Sequence, residues 1–65
     1  MKEIGKIIKE RRKSLKVNQL ELSELAGVDI STLVAIERGE GNPKLATLLS
    51  ILDTLGLQMT IGLKS

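Results

Sequence analysis

The sequence contains no cysteine, histidine, tryptophan, tyrosine or phenylalanine. Without cysteine or histidine, the chain lacks the thiol and imidazole groups on which most nucleophilic and metal-dependent catalysis depends. It also has no residue that can form a disulfide bond. The absence of aromatic side chains argues against a base-stacking platform for single-stranded nucleic acid. These absences predict a protein that binds a partner rather than an enzyme, with no cofactor, no metal site and no catalytic residues.

Long hydrophobic runs are absent as well. No apolar run approaches the roughly 20 residues that a membrane-spanning helix needs, and no signal peptide is visible. We therefore expect a cytoplasmic protein that does not enter a membrane. The length of 65 residues permits one domain at most. A core of that size supplies little free energy of folding, which favours association with a second chain.

Charge is distributed unevenly along the chain, although the net charge is only +2. Residues 1–17 contain seven Lys or Arg side chains against Glu3 and Glu10, which gives this segment a net charge of +5. Residues 18–65 contain three basic side chains against six acidic ones, a net charge of −3. A basic end of this kind suits a polyanion such as nucleic acid, or it is simply the solvated face of a helix.

Hydrophobic spacing predicts four helices separated by short connections. The segment 39–43 is dense in glycine and proline and predicts a loop, and Gly56 marks the end of the last helix. The predicted helices cover residues 3–15, 19–26, 30–38 and 45–55. In the first, the residues predicted to share an apolar stripe are Ile4, Ile8 and Leu15, with Ile7 beside it. In the last, the residues predicted to face inward are Leu45, Leu48, Leu49, Leu52 and Leu55.

The stretch 18–39 carries the boundary signals of two short helices joined by a tight turn. Asn18 is an N-cap candidate, and Glu21 three residues later completes a capping-box pattern. Gly27 can adopt the left-handed conformation that ends a helix, and Asp29 then caps the next one. The residues predicted to face the core are Leu22, Ala26, Leu33 and Ile36. This is the helix-turn-helix layout, in which the second helix is offered to the major groove of DNA.

The tail, residues 57–65, follows a different pattern from the helices. Apolar side chains alternate with polar ones or glycine, which is the period of a strand with one buried face. A lone strand leaves backbone groups unpaired, and the same strand of a second copy, antiparallel across a twofold axis, would satisfy them. The tail therefore predicts a homodimer, with an extended segment lying over its own helices as the alternative. The predicted dimerisation residues are Leu57, Met59, Ile61 and Leu63.

Short motifs run through the chain in a fixed order: Arg12, Gln19 with Leu22, Ala26-Gly27-Val28, Ser31-Thr32-Leu33, Ile36-Glu37-Arg38-Gly39, Asn42-Pro43 and Leu48. In this order and spacing, the chain from Ile4 to about Leu57 resembles the lambda-repressor/Cro/Xre family of DNA-binding domains. The resemblance implies an all-α, compact bundle of four or five helices over residues 1–56, followed by the short pairing strand over 57–65.

The family also implies a function and its partners. It implies a sequence-specific transcriptional regulator of double-stranded DNA, and the small size favours a dimeric repressor. The twofold dimer would bind a palindromic operator, with the third helix of each subunit in successive major grooves about 34 Å apart.

The segment from Leu55 to Lys64 also resembles the ending of HipB-type antitoxins, whose C-terminal strand pairs between subunits. This second resemblance implies an alternative function, an antitoxin that neutralises a kinase-like toxin protein and autoregulates its operon. Leu20 and Leu25 stand where the family has polar residues, which is compatible with a contact to such a partner. Scattered exposed leucines are also common without any partner.

The resemblance assigns candidate contacts to the DNA backbone. The N-terminus of the second helix attracts phosphate through its free N–H groups and dipole, and the family's matching glutamine holds the DNA backbone there. Such contacts position a protein without reading sequence. The candidates are Asn18, Gln19, Arg38 and Lys44, although Asn18 can serve as a cap alone and Lys44 as a solvated surface charge.

The third helix carries the candidate contacts to bases. Relatives often have polar side chains there, whereas this face is mostly apolar and suits thymine methyl groups, with Ser31 supplying a hydrogen bond. With few hydrogen bonds to the bases, recognition of DNA shape would supply more of the sequence specificity. The alternative is that Ile30 and Val34 form a protein-binding patch. The candidates are Asp29, Ile30, Ser31, Val34 and Ala35. The resemblance further implies a structural ion pair between Arg12 and Glu37.

Overall fold

The computed structural model of the protein describes residues 2–63. Within them the chain forms the helices α1 (Lys2–Ser14), α2 (Gln19–Ala26), α3 (Ile30–Glu37) and α4 (Leu45–Thr54). Each boundary lies within one residue of its predicted position, so the four predicted helices are confirmed. α3 contacts both α1 and α2, and α2 also packs on α4.

The core forms where the inner faces of the helices meet. Eight predicted core residues are buried there, and Ile51, which the sequence pattern did not single out, is also fully buried. Burial of these side chains is the main stabilising term, at about 2 kcal/mol for each large aliphatic residue. The buried apolar residues are Ile8, Leu22, Ala26, Leu33, Ile36, Leu48, Ile51, Leu52 and Leu55.

Three residues predicted to face the core do not. Leu15, Leu45 and Leu49 are each more than two-fifths exposed. In α4, apolar residues occupy so many positions that its sequence defines two overlapping stripes, and contact with α2 selects the stripe that contains Ile51. Leu15 lies beyond the last residue of α1, where the chain has already left the helical spacing.

α1 approaches α3 closely because Gly5 has no side chain. Gly5 is buried, and a Cβ atom at this position would collide with the carbonyl oxygen of Ile36. Ile8, one turn further along α1, is fully buried in the core. The absence of one side chain therefore sets the separation of the two helices.

α1 and α2 end in the same hydrogen-bonded turn but use different residues. After α2, Gly27 is left-handed with φ 69°, and the N–H of Val28 donates to the Ser23 carbonyl at 2.9 Å. After α1, Lys16 takes the corresponding position with φ 58°, and the N–H of Val17 donates to the Arg12 carbonyl at 3.2 Å. A left-handed lysine costs about 1 kcal/mol that glycine does not.

The strand predicted for the tail is not shown in the single chain. No segment between residues 2 and 63 forms a strand, so the strand predicted over residues 57–65 is absent from the single chain; Lys64 and Ser65 lie outside the described residues. Leu57 and Met59 instead pack against the core, whereas Ile61 and Leu63 are almost fully exposed. The physical reason is that residues 2–63 offer no sheet edge whose N–H and C=O groups could pair with the tail.

Candidate nucleic-acid interface

Side-chain caps fix the first turn of both α2 and α3. Asn18 Oδ1 accepts from the N–H of Glu21 at 2.8 Å, and Glu21 Oε1 accepts from the N–H of Asn18 at 3.0 Å. These two bonds form the predicted capping box. At α3, Asp29 Oδ2 accepts from the N–H of Ser31 at 3.1 Å. Both helices therefore begin at defined residues, which fixes how α3 is presented to solvent.

α3 has one buried face and one open face. Leu33 and Ile36 are buried in the core. The five candidate base-contacting residues lie on the rest of the helix: Asp29, Ile30 and Ser31 are exposed, and Val34 and Ala35 are half-buried. Their side chains form a low ridge. The hydroxyl of Ser31 also donates to Asp29 Oδ2.

Arg12 and Glu37 form a buried, two-bonded ion pair that joins α1 to the end of α3. Arg12 Nε donates to Glu37 Oε2 at 2.7 Å, and Arg12 Nη2 donates to Glu37 Oε1 at 2.9 Å. The side chains are 9% and 2% exposed. The hydrogen bond to Glu37, against the opposing effect of burial, raises the pKa of Arg12 above its ordinary value. The guanidinium therefore keeps its charge at neutral pH.

The same pair also holds the start of α2. Arg12 Nη1 donates to the carbonyl oxygen of Val17 at 2.9 Å, in the connection between α1 and α2. Gln19 Nε2 donates to Glu37 Oε1 at 3.2 Å. Among the described residues, no buried side-chain nitrogen or oxygen lacks a hydrogen-bond partner. The contact between Gln19 and Glu37 was not predicted, since the two residues lie 18 positions apart and carry no local signal of contact.

The four candidate phosphate-contacting residues lie at helix ends. Asn18 is the exposed N-cap of α2, and the half-buried Gln19 is its first residue. Arg38 is exposed at the C-cap of α3, and Lys44 is exposed at the N-cap position of α4, where its side chain makes no capping bond. The side chains of Arg38 and Lys44 are therefore accessible. The side-chain oxygen of Asn18 and the side-chain amide of Gln19 each already have a hydrogen-bond partner inside the protein.

Some of the basic side chains near the N-terminus make hydrogen bonds or ion pairs within the protein. Arg12 is buried with Glu37, and Arg11 Nε donates to the Leu55 carbonyl at 3.0 Å, at the end of α4. Lys6 lies 4.0 Å from Glu10 in an exposed pair, which contributes little to stability. The sequence asymmetry of charge therefore overstates the cationic surface that a polyanion would meet.

Two further properties of the described chain bear on function. The described helices are all too short or too polar to cross a membrane. Residues 2–63 contain no group of three or more acidic side chains that could hold a metal ion together.

Comparison with known proteins identifies relatives of this chain. The sequence profile of the helix-turn-helix family matches residues 8–61. The immunity repressor protein of Bacillus phage phi105 is 40% identical over 57 residues, which cover 88% of this chain and 40% of that protein. An uncharacterized HTH-type transcriptional regulator of Haemophilus influenzae is 40% identical over 50 residues, which cover 77% of this chain and 51% of that protein. The chain thus spans about half the length of these relatives or less.

The fold has a counterpart among solved structures. The restriction-modification controller protein C.AhdI from Aeromonas hydrophila superposes with a TM-score of 0.81 and 28% sequence identity, over 88% of this chain and 86% of that one. This likeness confirms the predicted all-α helix-turn-helix architecture. The names of these proteins, a repressor, a regulator and a controller, do not favour the antitoxin alternative. The chain belongs to the helix-turn-helix family.

Proposed function

We propose that this protein is a sequence-specific double-stranded-DNA-binding transcriptional regulator, acting as a repressor that occludes a promoter. The observation that carries the proposal is the open ridge of α3, presented by capped helix ends and supported by the buried pair of Arg12 and Glu37. Relatives that are named as a repressor and as a transcriptional regulator support it.

In the proposed complex, α3 enters the major groove and its five candidate base-contacting side chains face the base edges. Ile30, Val34 and Ala35 contact thymine methyl groups, and Ser31 makes the polar contact. Asp29 caps α3 first, and its free carboxylate oxygen can accept a hydrogen bond from a cytosine amino group. Because so few polar groups reach the bases, DNA shape contributes to the choice of site.

Phosphate contacts hold α3 in the groove. Arg38 and Lys44 are exposed cations close to the ends of α3 and α4, respectively. Asn18 and Gln19 lie at the start of α2, where free backbone N–H groups favour an anion. These contacts set orientation and produce a salt-dependent affinity for any DNA sequence.

The proposed assembly is a homodimer on a palindromic operator. Residues 1–56 form the DNA-binding domain and residues 57–65 the dimerisation segment. Ile61 and Leu63 are 88% and 102% exposed, although both are large and apolar. A second copy would bury them and supply the strand edge that a single chain lacks.

Selection of bound fragments from random duplex DNA tests the proposal. We expect enrichment of a two-part palindrome whose half-sites lie about one helical turn apart. Ala35→Glu, which places a negative charge on the ridge, should abolish binding to the selected site. Leu25→Glu adds the same charge on the exposed surface of α2 and should weaken binding only slightly. Failure to enrich any sequence, or equal losses in both variants, would contradict the proposal.

An antitoxin function is not proposed. Leu20 and Leu25 are both more than half exposed on α2, but two exposed leucines do not identify a partner. An enzymatic function is not proposed either, because the chain has no histidine or cysteine.

A further inference from the structure

Gln19 stands between the proposed phosphate contact and the buried ion pair. It is the first residue of α2, and its side chain is only half-buried. Its Nε2 donates to Glu37 Oε1, the oxygen that also accepts from Arg12 Nη2. A residue expected to bind DNA is thus bonded to a buried charge at the far end of α3.

The chemistry of Glu37 determines which way the Gln19 amide faces. An ionised carboxylate only accepts hydrogen bonds, whereas a primary amide carries two N–H donors and one accepting oxygen. Glu37 therefore attracts the amide nitrogen and repels the amide oxygen. With one N–H bonded to Glu37, the second N–H is the donor that remains for a phosphate oxygen, which is itself only an acceptor.

Arg12 makes this arrangement compatible with a nearby phosphate. A buried carboxylate without a partner would be costly and would repel DNA. Two hydrogen bonds from the Arg12 guanidinium neutralise Glu37, and a third, to the Val17 carbonyl, ties the pair to the segment just before α2. The Gln19 amide is therefore hydrogen-bonded to an ion pair that has no net charge and is held by the hydrogen bonds of Arg12, rather than to an unpaired carboxylate.

We propose that the pair of Arg12 and Glu37 is a positioning device for DNA binding, in which Glu37 orients the Gln19 amide so that its free N–H meets a phosphate. The inference rests on the proposed DNA-binding function. Without Glu37, the amide is not held in one orientation before DNA binds, so the contact with the phosphate must itself supply the cost of ordering the side chain. Glu37 thus acts on DNA through Gln19, although it is buried.

A double-mutant cycle tests this coupling. The variants are Gln19→Ala, the paired replacement Arg12→Met with Glu37→Met, and all three changes together. The paired replacement removes both charges at once and so leaves neither stranded. In the natural background, Gln19→Ala should weaken binding of the selected duplex about tenfold, as expected for a hydrogen bond to a charged group. In the Met background the same change should cost less than about twofold, because an unoriented amide contributes little.

Arg38→Ala provides the matched control. Arg38 is exposed, and none of the side-chain hydrogen bonds of the pair involves it. Its replacement should therefore weaken binding by the same factor in both backgrounds. Equal losses for Gln19→Ala in the two backgrounds would overturn the positioning role while leaving DNA binding intact. If the unmodified protein binds no selected duplex, the proposed function itself fails.

A spectroscopic measurement covers the case in which the Met background does not fold. In the unmodified protein, the two protons on Gln19 Nε2 give separate NMR signals, and the one bonded to Glu37 should exchange slowly with water. On adding the selected duplex, the other proton should shift downfield. Replacing the contacted phosphate by a neutral methylphosphonate should remove that shift. A shift that is absent, or that persists on the neutral backbone, would contradict the proposal.

Discussion

The molecule has two surfaces that differ in how fully a single chain satisfies their polar groups and buries their apolar side chains. On the helix-turn-helix surface, α2 and α3 have capped ends, and the buried charges of Arg12 and Glu37 satisfy each other. On the surface formed by α1, α4 and the tail, large apolar side chains of Ile7, Leu45 and Leu49 remain about half exposed. Polar satisfaction makes the first surface rigid in a single chain, whereas the second exposes apolar area of the kind that a partner covers.

The groove beside the tail is likewise an apolar surface that a single chain leaves uncovered. The tail, α1 and α4 line this groove almost entirely with apolar atoms. The apolar residues that line it are Ile4, Ile7, Leu52, Leu57 and Met59. Ile61 and Leu63 continue the alternating pattern but contact no core residue. The described part of the tail thus carries apolar side chains that a single copy does not bury.

The largest expected effect is loss of the support under the helix-turn-helix surface. Arg12→Met leaves the Glu37 carboxylate buried without its partner, which should destabilise the fold by about 3–5 kcal/mol. Urea unfolding followed by circular dichroism measures the loss. Lys6→Met, which breaks the exposed pair with Glu10, should change stability by no more than about 0.5 kcal/mol. Similar effects of the two variants would show that burial does not make the pair of Arg12 and Glu37 more important for stability than an exposed ion pair.

Gly5→Ala tests the contact between α1 and α3. The added methyl group collides with the Ile36 carbonyl, so the two helices must separate. We expect a loss of about 1–3 kcal/mol, measured by thermal unfolding. Gly62→Ala is the control, because no atom lies within 4 Å of the added carbon, and it should be neutral. A neutral Gly5→Ala would mean that α1 shifts at no cost.

Charges on the tail test whether the second surface is completed by another copy. Ile61→Lys with Leu63→Lys should weaken dimerisation at least about tenfold, equivalent to about 1.4 kcal/mol, as measured by sedimentation equilibrium. Because neither side chain packs on the core, the stability of the monomer should not change. Thr60→Lys, an exposed neighbour, is the control. Dimers that persist unchanged would refute pairing through the tail.

The smallest expected effect concerns the end of α1. Lys16→Gly removes the cost of a left-handed lysine and should stabilise the protein by up to about 1 kcal/mol. The control is Lys13→Gly within α1, which should destabilise it by a similar amount because glycine disfavours the helix interior. Denaturant midpoints distinguish the two directions. A destabilising Lys16→Gly would mean that the Lys16 side chain makes a favourable contact that outweighs its backbone cost.

Structural features that depend on residues close together in the sequence were predicted correctly. The capping box of Asn18 and Glu21, the cap Asp29 and the left-handed Gly27 all formed as expected, and they fixed the helix bounds. Each depends on groups at most five positions apart, so the local backbone and side chain are sufficient to specify them. For the same reason, the spacing of Leu33 and Ile36 determined which side of α3 faces the core.

Features that join distant segments could not be predicted in this way. α4 is apolar around much of its surface, and only packing on α2 decided that Ile51 is buried and Leu49 is not. The bond between Gln19 and Glu37 exists because α2 packs on α3 and brings together two side chains that are distant in the sequence. The tail's alternation specified an extended chain, but a strand also needs an edge to pair with. The sequence by itself determined where helices begin, end and turn, because those choices are local; the tertiary structure decided which faces meet, because several faces were equally apolar.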